Sequence, residues 1–433
     1  MMRHQSIQPR GDAGPSSASV WHVTAPAAPA LESLKGEIET DILVIGAGVA
    51  GLSTALHLAE AGLDVVVVEA DQPGSGATGQ SGGLIAPDYI RHSPETIGKL
   101  IGRQAGEKLT RFLGGSAQYC FDLIERHGIE CDHRQDGFWS PAHTETLAET
   151  QRTYAAQWRS RGFDVSFMER DDVRQALGSH RYCGGLRFGQ GGALNPLAYV
   201  RGLARAALKA GAGVYAESPI TSLSHVNGVW TAQTPGGLVK ARRLVLAANG
   251  GNAALHPAMR RTVLPLHVVE FATAPLSPEQ RAHILPQGGC FTDKTPYVFS
   301  ARYDGPGHLI SAFPKSFLVG PKAFHREAKR RLVGHFEALP APEIDYLWEG
   351  TAWINTSFLP EIYDLGDSAF AIQACNGRGL STNTAIGRDM AAALAAGSVE
   401  PLAIQPCAPQ PVRIHAMASL APKALMSLAY LSS

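Results

Sequence analysis

The chain has 433 residues, of which 45% are hydrophobic and 18% are charged, with 38 basic and 38 acidic side chains. This length suffices for two large domains or one interleaved pair, and the composition is that of an ordinary globular protein. The balanced charge gives no reason to expect nucleic acid or an anionic membrane as a partner.

Residues 1–40 combine Pro, Ala and Ser with scattered charges and lack the apolar centre that a signal peptide needs. This composition predicts a flexible N-terminal arm. No uninterrupted apolar stretch approaches the length of a membrane span, so we expect no spanning helix. Residues 401–433 are expected to form a C-terminal tail.

The first clear pattern lies in residues 41–70. Ile42–Ile45 is a short continuous apolar run, as expected of a parallel strand that is covered on both faces. A G-x-G-x-x-G turn follows, and a helix is predicted from about Ala50 to Ala61. Val65–Val68 is predicted to be the return strand, with the acid Glu69 directly after it.

Each part of this unit has a task in holding the ADP half of a dinucleotide. Gly46 makes the tight turn, Gly48 lets the backbone approach a pyrophosphate, and Gly51 lets the helix pack close to the strand. The helix N-terminus supplies free N–H groups and a positive dipole. Glu69 can accept both ribose hydroxyls of an unphosphorylated adenosine, and its charge would repel the 2′-phosphate of NADP. The alternative is a parallel βαβ unit that binds nothing at this turn.

Further along the chain, predicted helices and strands alternate without an internal repeat. The helical patterns cover Glu95–Gly128, Glu145–Arg161, Leu197–Ala210 and Asn383–Ala396. The main strand patterns are Gly137–Ser140, Gly184–Phe188, Val214–Ala216, Ile220–Val226, Val229–Gln233, Leu238–Ala241, Leu244–Ala248, Leu264–Ala274, Thr292–Ala312 and Phe370–Ala374. The dinucleotide-binding domain is therefore expected to be assembled from separated stretches, with substrate-domain segments inserted between them.

Three segments resemble the FAD-dependent amine and amino-acid oxidase (D-amino acid oxidase-like, DAO) family, and especially its gamma-glutamylputrescine oxidase-like subgroup. They are the fingerprint ending at Glu69, the loop GSGATGQSGG (Gly74–Gly83), and NGRGLSTNTAIGR (Asn376–Arg388). The second is similar to the family's G-x-GASGRNGG loop, and the third to its C-terminal N-G-R-G stretch.

The resemblance implies an α/β fold, in which a Rossmann-like FAD-binding domain is interleaved with an antiparallel-sheet substrate domain of α+β type. The FAD-binding domain would comprise residues 41–90, 191–260 and 345–400. The substrate-binding domain would comprise residues 91–190 and 261–344.

The resemblance also implies FAD as the cofactor and a set of residues around it. The glycines of the second segment leave room beneath the flavin, and backbone N–H groups of the third would face the ring edge that becomes negative on reduction. A tight turn that merely starts a helix is the alternative for the third segment. The residues predicted to contact FAD are Gly46, Ala47, Gly48, Val49, Ala50, Gly51, Glu69, Ala70, Gly76, Ala77, Thr78, Gln80, Ser81, Gly82, Gly83, Ile220, Asn249, Gly377, Arg378, Gly379 and Leu380.

Catalytic candidates lie on segments expected to form the substrate side: His267, Arg302, Tyr297 and Trp348. His267 lies on the strand expected to cross under the flavin, and a core histidine bonded to backbone is an equal alternative. Arg302 could pair with a substrate carboxylate or be a solvent-facing strand residue. Trp348 and Trp353 either form part of an aromatic box around the substrate amine or belong to the hydrophobic core.

Two further roles on the substrate side remain open. Tyr297 follows a proline and could only cover a strand edge. Cys375 lies near the presumed ring, so covalent flavin attachment is one possibility and a buried thiol is the other.

The six cysteines are scattered without a C-x-x-C spacing, which favours reduced thiols and a cytoplasmic location. No His/Cys/Asp cluster has the spacing of metal ligands, so no metal is expected.

The predicted function is oxidation of the C–N bond of a primary or secondary amine or amino acid to an imine, with dioxygen or another electron acceptor reoxidising the flavin. The sequence departs from the family pattern at Gln80–Ser81, where Arg-Asn is usual, and at Phe299–Ser300, where the subgroup often has Tyr-Arg. Two alternatives therefore remain. The first is a dehydrogenase of the same fold that acts on a hydroxy acid or passes electrons to a partner. The second is a non-catalytic FAD-binding subunit.

Overall fold

The structure is a computed structural model that describes residues 19–373 and 376–432. Its strands, in chain order, are β1 Gly36–Ile45, β2 Val65–Val68, β3 Leu84–Ile85, β4 Phe138–Ala142, β5 Val165–Glu169, β6 Gly184–Phe188, β7 Gly192–Ala193, β8 Gly213–Tyr215, β9 Ser222–Val226, β10 Val229–Gln233, β11 Gly237–Leu246, β12 Leu264–Pro275, β13 Cys290–Thr292, β14 Ser300–Tyr303, β15 His308–Pro314, β16 Ile344–Ile354, β17 Glu361–Gly366 and β18 Ala369–Gln373.

The helices are α1 Trp21–Thr24, α2 Val49–Glu60, α3 Ala77–Gln80, α4 Pro94–Ile101, α5 Arg103–His127, α6 Glu145–Arg159, α7 Arg170–Leu177, α8 Pro196–Ala210, α9 Asn252–Leu255, α10 Pro278–Arg281, α11 Phe324–His335, α12 Gly379–Ala396, α13 His415–Ala418 and α14 Ala421–Leu431. Short 3₁₀ turns lie at Asn249–Gly251, Pro257–Met259 and Pro321–Ala323.

The first sheet has the strand order β17-β18-β11-β1-β2-β8, and β10 and β9 extend from β11. The pairs that join β18, β11, β1, β2 and β8 are all parallel. Alternate residues of β1 enter different cores: Ile42 and Val44 pack with the helices, whereas Leu43 and Ile45 pack with residues such as Trp230. The centre of the sheet is therefore covered on both faces, as its continuous apolar strands predict.

The second sheet has the order β16-β12-β15-β14-β13-β4-β6-β5. Its neighbouring strands are antiparallel except β13 and β4. A separate aromatic-rich core, which includes Phe271, Phe291 and Phe313, packs against this sheet. β3 and β7 form a two-stranded ribbon.

Helices α2 and α12 pack closely because small residues meet at their contact. A Cβ on Gly387 would lie 2.5 Å from the Cβ of Ser53. The Ser53 hydroxyl donates to the carbonyl of Thr384 at 2.8 Å. This contact fixes the two helices against each other, and both begin at the edge of the first sheet where β1 and β18 end.

The predicted fold class is confirmed, and three boundaries need correction. The second sheet contains β16, so the proposed nucleotide segment 345–400 loses its first strand, which pairs with β12 along Leu264–Thr273. The N-terminal residues 19–40 are not a loose arm, because Trp21 is fully buried and β1 begins at Gly36. Residues 1–18 lie outside the described residues. In the C-terminal tail, α14 packs on the second sheet's core through Ala429 and its neighbours.

Two helices differ from their predicted bounds. The predicted helix Glu95–Gly128 is two helices, because Gly102 has a φ of +91° and interrupts it. Helix α12 begins four residues before the predicted start at Asn383, so Gly379 and Leu380 lie in its first turn. Among the described helices, none is long and apolar enough to cross a membrane.

Candidate functional site

One large cavity of about 540 Å³ lies between the two sheets. It extends from the turn after β1, past the glycine-rich loop (residues 74–83) and the N-terminus of α12, to one face of β12, β15 and β16. This volume is typical of a pocket for a small organic ligand.

The turn between β1 and α2 is built from glycines with different tasks. Gly46 has a φ of +110°, and a Cβ there would lie 2.9 Å from the backbone of Ala247. A Cβ on Gly51 would lie 2.0 Å from the carbonyl oxygen of Gly46, so this position fixes how closely α2 meets the strand. At Gly48 the nearest atom to an added Cβ is Thr78 Oγ1 at 3.5 Å. The side of Gly48 therefore faces open space, into which the N-terminus of α2 directs its N–H groups.

Glu69 lies at the end of β2 and lines the cavity. Its carboxylate accepts the N–H of Ala47 at 2.6 Å and the N–H of Asp71 at 3.1 Å. Burial raises the pKa of Glu69, and these two hydrogen bonds act in the opposite direction. Glu69 thus holds the glycine turn in place, in addition to presenting a carboxylate to the cavity.

Three buried side chains hold the carbonyl groups of the glycine-rich loop. The indole N–H of Trp348 donates to Gln80 O at 3.0 Å. The Trp21 N–H donates to Ser81 O at 2.9 Å, and Arg302 Nη1 donates to Gly83 O at 3.1 Å. The Arg302 guanidinium also lies 5.1 Å from the centre of the Trp21 ring, a cation–π distance.

The opposite wall is formed by the N-terminus of α12. Arg378 precedes this helix and forms an ion pair with Asp88, and burial lowers the pKa of the guanidinium to about 10. Asn249 and Asn383 also line the cavity. Within the described part of the chain, the Oδ1 atoms of both asparagines are buried and have no hydrogen-bond partner.

These features fit FAD. Buried acceptors without partners are rare in folded proteins, and they indicate that a ligand supplies the missing donors. The open side of Gly48 leaves room for a pyrophosphate, and Gly76 and Gly377 each have no atom within 4 Å of an added Cβ. The N-termini of α2 and α12 both open onto the cavity, and each favours a negative group.

The structure brings the predicted cofactor residues together. All of them line the cavity except Ala47 and Gly51, which are buried behind it and shape the turn. The lining members are Gly46, Gly48, Val49, Ala50, Glu69, Ala70, Gly76, Ala77, Thr78, Gln80, Ser81, Gly82, Gly83, Ile220, Asn249, Gly377, Arg378, Gly379 and Leu380.

None of the four predicted catalytic side chains lines the cavity. Arg302 and Trp348 are buried and bonded to the glycine-rich loop, so Arg302 is not the solvent-facing residue of the alternative. Tyr297 is buried, and its hydroxyl donates to Pro314 O at 2.8 Å. His267 is exposed on the face of β12 that points away from the cavity, where its ring bonds Thr351 Oγ1 at 3.0 Å.

Trp353 was the remaining aromatic candidate, and its ring packs on the backbone of Gly250. Cys375, considered for covalent flavin attachment, lies outside the described residues. Among the described residues, no group of three His, Cys, Asp or Glu side chains could hold a metal ion.

The sequence-based candidates missed Glu270. It lies on β12 with Leu266 and Val268, and all three side chains line the cavity. Glu270 is only 7% exposed, and burial raises the pKa of its carboxyl to about 8, against opposing effects of Arg302 and the Gly82 N–H. The available signal was an acid inside a largely apolar strand, which is costly unless the acid has a task.

A family model described as FAD dependent oxidoreductase matches residues 41–393. The chain belongs to this family of FAD-dependent oxidoreductases. The resemblance found from the three sequence segments is thereby confirmed, and so is FAD as the cofactor.

Individual relatives agree with this assignment. The chain is 28% identical to gamma-glutamylputrescine oxidoreductase of Escherichia coli (strain K12), over 82% of this chain and 84% of that protein. Among solved structures, L-proline dehydrogenase from P. horikoshii has a TM-score of 0.73 at 17% identity, over 86% of this chain and 96% of that one. Glycine oxidase from Bacillus cereus has a TM-score of 0.65 at 20% identity, over 83% of this chain and 95% of that one. The two structural matches show the shared fold.

Proposed function

We propose that this protein oxidises the C–N bond of an amine or amino acid to an imine, with dioxygen or another acceptor taking the electrons afterwards. The observation that best supports this proposal is the continuity of the cavity. It runs without interruption from the nucleotide turn to the second sheet, so that a small molecule on the sheet would lie beside the glycine-rich loop. The names of the relatives, gamma-glutamylputrescine oxidoreductase and glycine oxidase, support a nitrogen-containing substrate for this chain.

When bound, FAD supplies the hydride-accepting chemistry. The chain's own residues bind the cofactor and the substrate and shield them from water. Leu266, Val268, Ala312 and Ala352 give the sheet side of the cavity an apolar surface. An apolar surface disfavours the charged form of an amine, and only the neutral amine has the free electron pair that oxidation requires.

On the opposite side, backbone N–H groups at the start of α12 would stabilise negative charge on the cofactor. Trp21, Trp348 and Arg302 keep the glycine-rich loop in one conformation, which preserves the spacing between cofactor and substrate. The five described free cysteines, with no disulfide among them, agree with a cytoplasmic location, which we include in the proposal.

The test is anaerobic mixing of the FAD-loaded protein with matched panels of amines, amino acids and 2-hydroxy acids, followed by the visible flavin absorbance. Bleaching by amines or amino acids but not by hydroxy acids supports the proposal. Bleaching by hydroxy acids alone identifies the dehydrogenase alternative, and no bleaching by any panel identifies a non-catalytic flavoprotein. Stoichiometric peroxide on readmission of air would identify dioxygen as the acceptor.

A further inference from the structure

Glu270 is the ionisable side chain that the second sheet presents to the cavity. Its direct neighbours across the sheet, Trp348 on β16 and Ala312 on β15, carry no charge. On the cavity side it faces the glycine-rich loop, where Glu270 Oε2 lies 3.2 Å from the position that a Cβ on Gly82 would occupy. That loop contains no ionisable side chain.

No unpaired cation is found among the described residues that line the cavity. Arg302 acts on Glu270 through space, but it does not line the cavity, and its Nε and Nη1 groups bind the carbonyl oxygens of Tyr303, Gly83 and Leu194. Its Nη2 group is buried without a hydrogen-bond partner in the described part of the chain. Arg378 on the opposite wall pairs with Asp88. Among the described lining residues the other acid is Glu69, which lies at the nucleotide turn. The substrate end of the cavity therefore offers a carboxylate and no unpaired cation among its described lining residues.

We propose that Glu270 binds the ammonium group of the substrate and takes its proton, and that it selects amines with no carboxylate on the reacting carbon. This inference rests on the proposed function. An α-carboxylate beside Glu270 would bring two negative charges together in a buried site, without an unpaired arginine or lysine among the described lining residues to offset them.

The proton transfer balances within the complex. The N–H bond of the alkylammonium breaks, an O–H bond forms on the Glu270 carboxylate, and the electron pair of that N–H bond becomes the lone pair of the neutral amine. The positive and negative charges disappear together, so no net charge remains buried. The proton returns to water when the product leaves.

The raised pKa of the Glu270 carboxyl, about 8, suits this transfer. An alkylammonium has a pKa of about 10, so the two groups differ by roughly 2 rather than the roughly 6 expected for an ordinary glutamate. A base whose pKa is near the working pH combines the correct protonation state with a useful driving force.

The experiment measures anaerobic flavin reduction in FAD-loaded wild type, Glu270→Gln and Glu270→Asp, between about pH 6 and pH 10. Butylamine and norvaline form a matched pair, because norvaline is butylamine with a carboxylate on the reacting carbon. The amide of Glu270→Gln can still accept the Gly82 N–H, which favours an intact fold. Glu349→Gln is the matched control, since Glu349 lies on neighbouring β16 and is exposed beside Lys315.

We expect the wild-type rate with butylamine to rise through about pH 8 and to exceed the norvaline rate at least tenfold. Glu270→Gln should lower the butylamine rate about a hundredfold or more and abolish the rise with pH. Glu270→Asp should retain part of the butylamine rate and part of its rise with pH, and Glu349→Gln should behave as wild type.

A second measurement does not depend on turnover. Infrared difference spectra of the FAD-loaded protein without substrate should show the C=O stretch of a protonated carboxylic acid disappearing as the pH passes about 8. This band should be missing from Glu270→Gln. Its persistence in that variant would overturn the assignment of the proton to Glu270.

The remaining outcomes are separable. If no amine or amino acid reduces the wild-type flavin, the proposed function fails and this inference fails with it. If the wild type turns over but Glu270→Gln keeps its rate and pH profile, or norvaline reacts as fast as butylamine, only the present inference fails.

Discussion

The indole N–H of Trp21 donates a hydrogen bond to the carbonyl oxygen of Ser81 at 2.9 Å, across 60 positions of sequence. The N-terminal segment thereby supports the FAD site, although none of its described residues, 19–40, lines the cavity. Trp21 also packs edge-on against Trp348, with ring centres 6.2 Å apart, so the two indoles hold adjacent loop carbonyls as a unit.

Replacing Trp21 by Phe is expected to weaken FAD binding about tenfold, because a loop carbonyl loses its buried donor. Titration of the apoprotein with FAD, followed by fluorescence quenching, measures this. Trp230→Phe is the control: the Trp230 N–H makes a bond of similar length, 2.8 Å to Asp367 O, on the first sheet away from the cavity. Equal losses of affinity in both variants would contradict a specific role for Trp21.

Gly48→Val is expected to prevent FAD binding, because its methyl groups would fill the open space beside the turn. Gly48→Ala provides the graded comparison, since its Cβ would lie at an ordinary 3.5 Å from Thr78 Oγ1. Purified Gly48→Val should be colourless and Gly48→Ala yellow. A yellow valine variant would show that the pyrophosphate does not pass this position.

Glu69→Ala is expected to reduce FAD affinity by roughly 10- to 100-fold, because it removes a charged acceptor and frees the Ala47 N–H that orders the turn. The fall in affinity should exceed any fall in stability. Glu37→Ala serves as a control, since Glu37 is an exposed acid on β1 that pairs with Lys240. An unchanged dissociation constant in Glu69→Ala would refute the assignment.

Arg302→Met is expected to destabilise the protein by about 3 kcal/mol, because three buried carbonyls lose their shared donor at roughly 1 kcal/mol each or more. Urea unfolding gives the value. The exposed Arg152, paired with Glu169, offers a comparison for which a change below about 1 kcal/mol is expected. A selective rise in KM for carboxylate substrates, without loss of stability, would instead return Arg302 to the substrate site.

Glu270 should also make stability depend on pH. Folding raises the pKa of its carboxyl from 4.5 to about 8, so the folded state binds the proton more tightly than the unfolded state. The contribution to the free energy of unfolding is full below the lower value and is lost as the pH rises through about 8. Glu270→Gln lacks this loss. The Tm of apo Glu270→Gln, relative to wild type, should therefore increase from about pH 5 to about pH 9, and a constant difference would exclude the effect.

The nucleotide turn could be predicted because its signals are local. Glycines at fixed offsets, an apolar strand and a following acid all lie within residues 41–70, and each has its own steric or electrostatic reason. The substrate side lacks such signals. Arg302 and Trp348 meet the glycine-rich loop from more than 200 residues away, and no spacing in the sequence specifies those contacts.

The choice of His267 instead of Glu270 has a different cause. Successive side chains of a strand point to opposite faces, so a strand with apolar residues on both faces gives no indication of which face lines a cavity. In β12, Leu266, Val268 and Glu270 share the cavity face, and His267 lies on the other. The position of the strand across the site therefore does not determine which of its side chains line the cavity; its register is also needed.

The contact between α2 and α12 has a consequence for cofactor choice. Ser53 and Gly387 meet with almost no intervening side-chain volume, so the separation between the N-termini of these helices cannot adjust freely. By the proposed arrangement, one terminus would serve the pyrophosphate half of the ligand and the other would serve its ring. We expect the protein to discriminate cofactors by length: FMN, which lacks the adenylate portion, could engage the ring end but would leave the Gly48 turn and Glu69 without a partner.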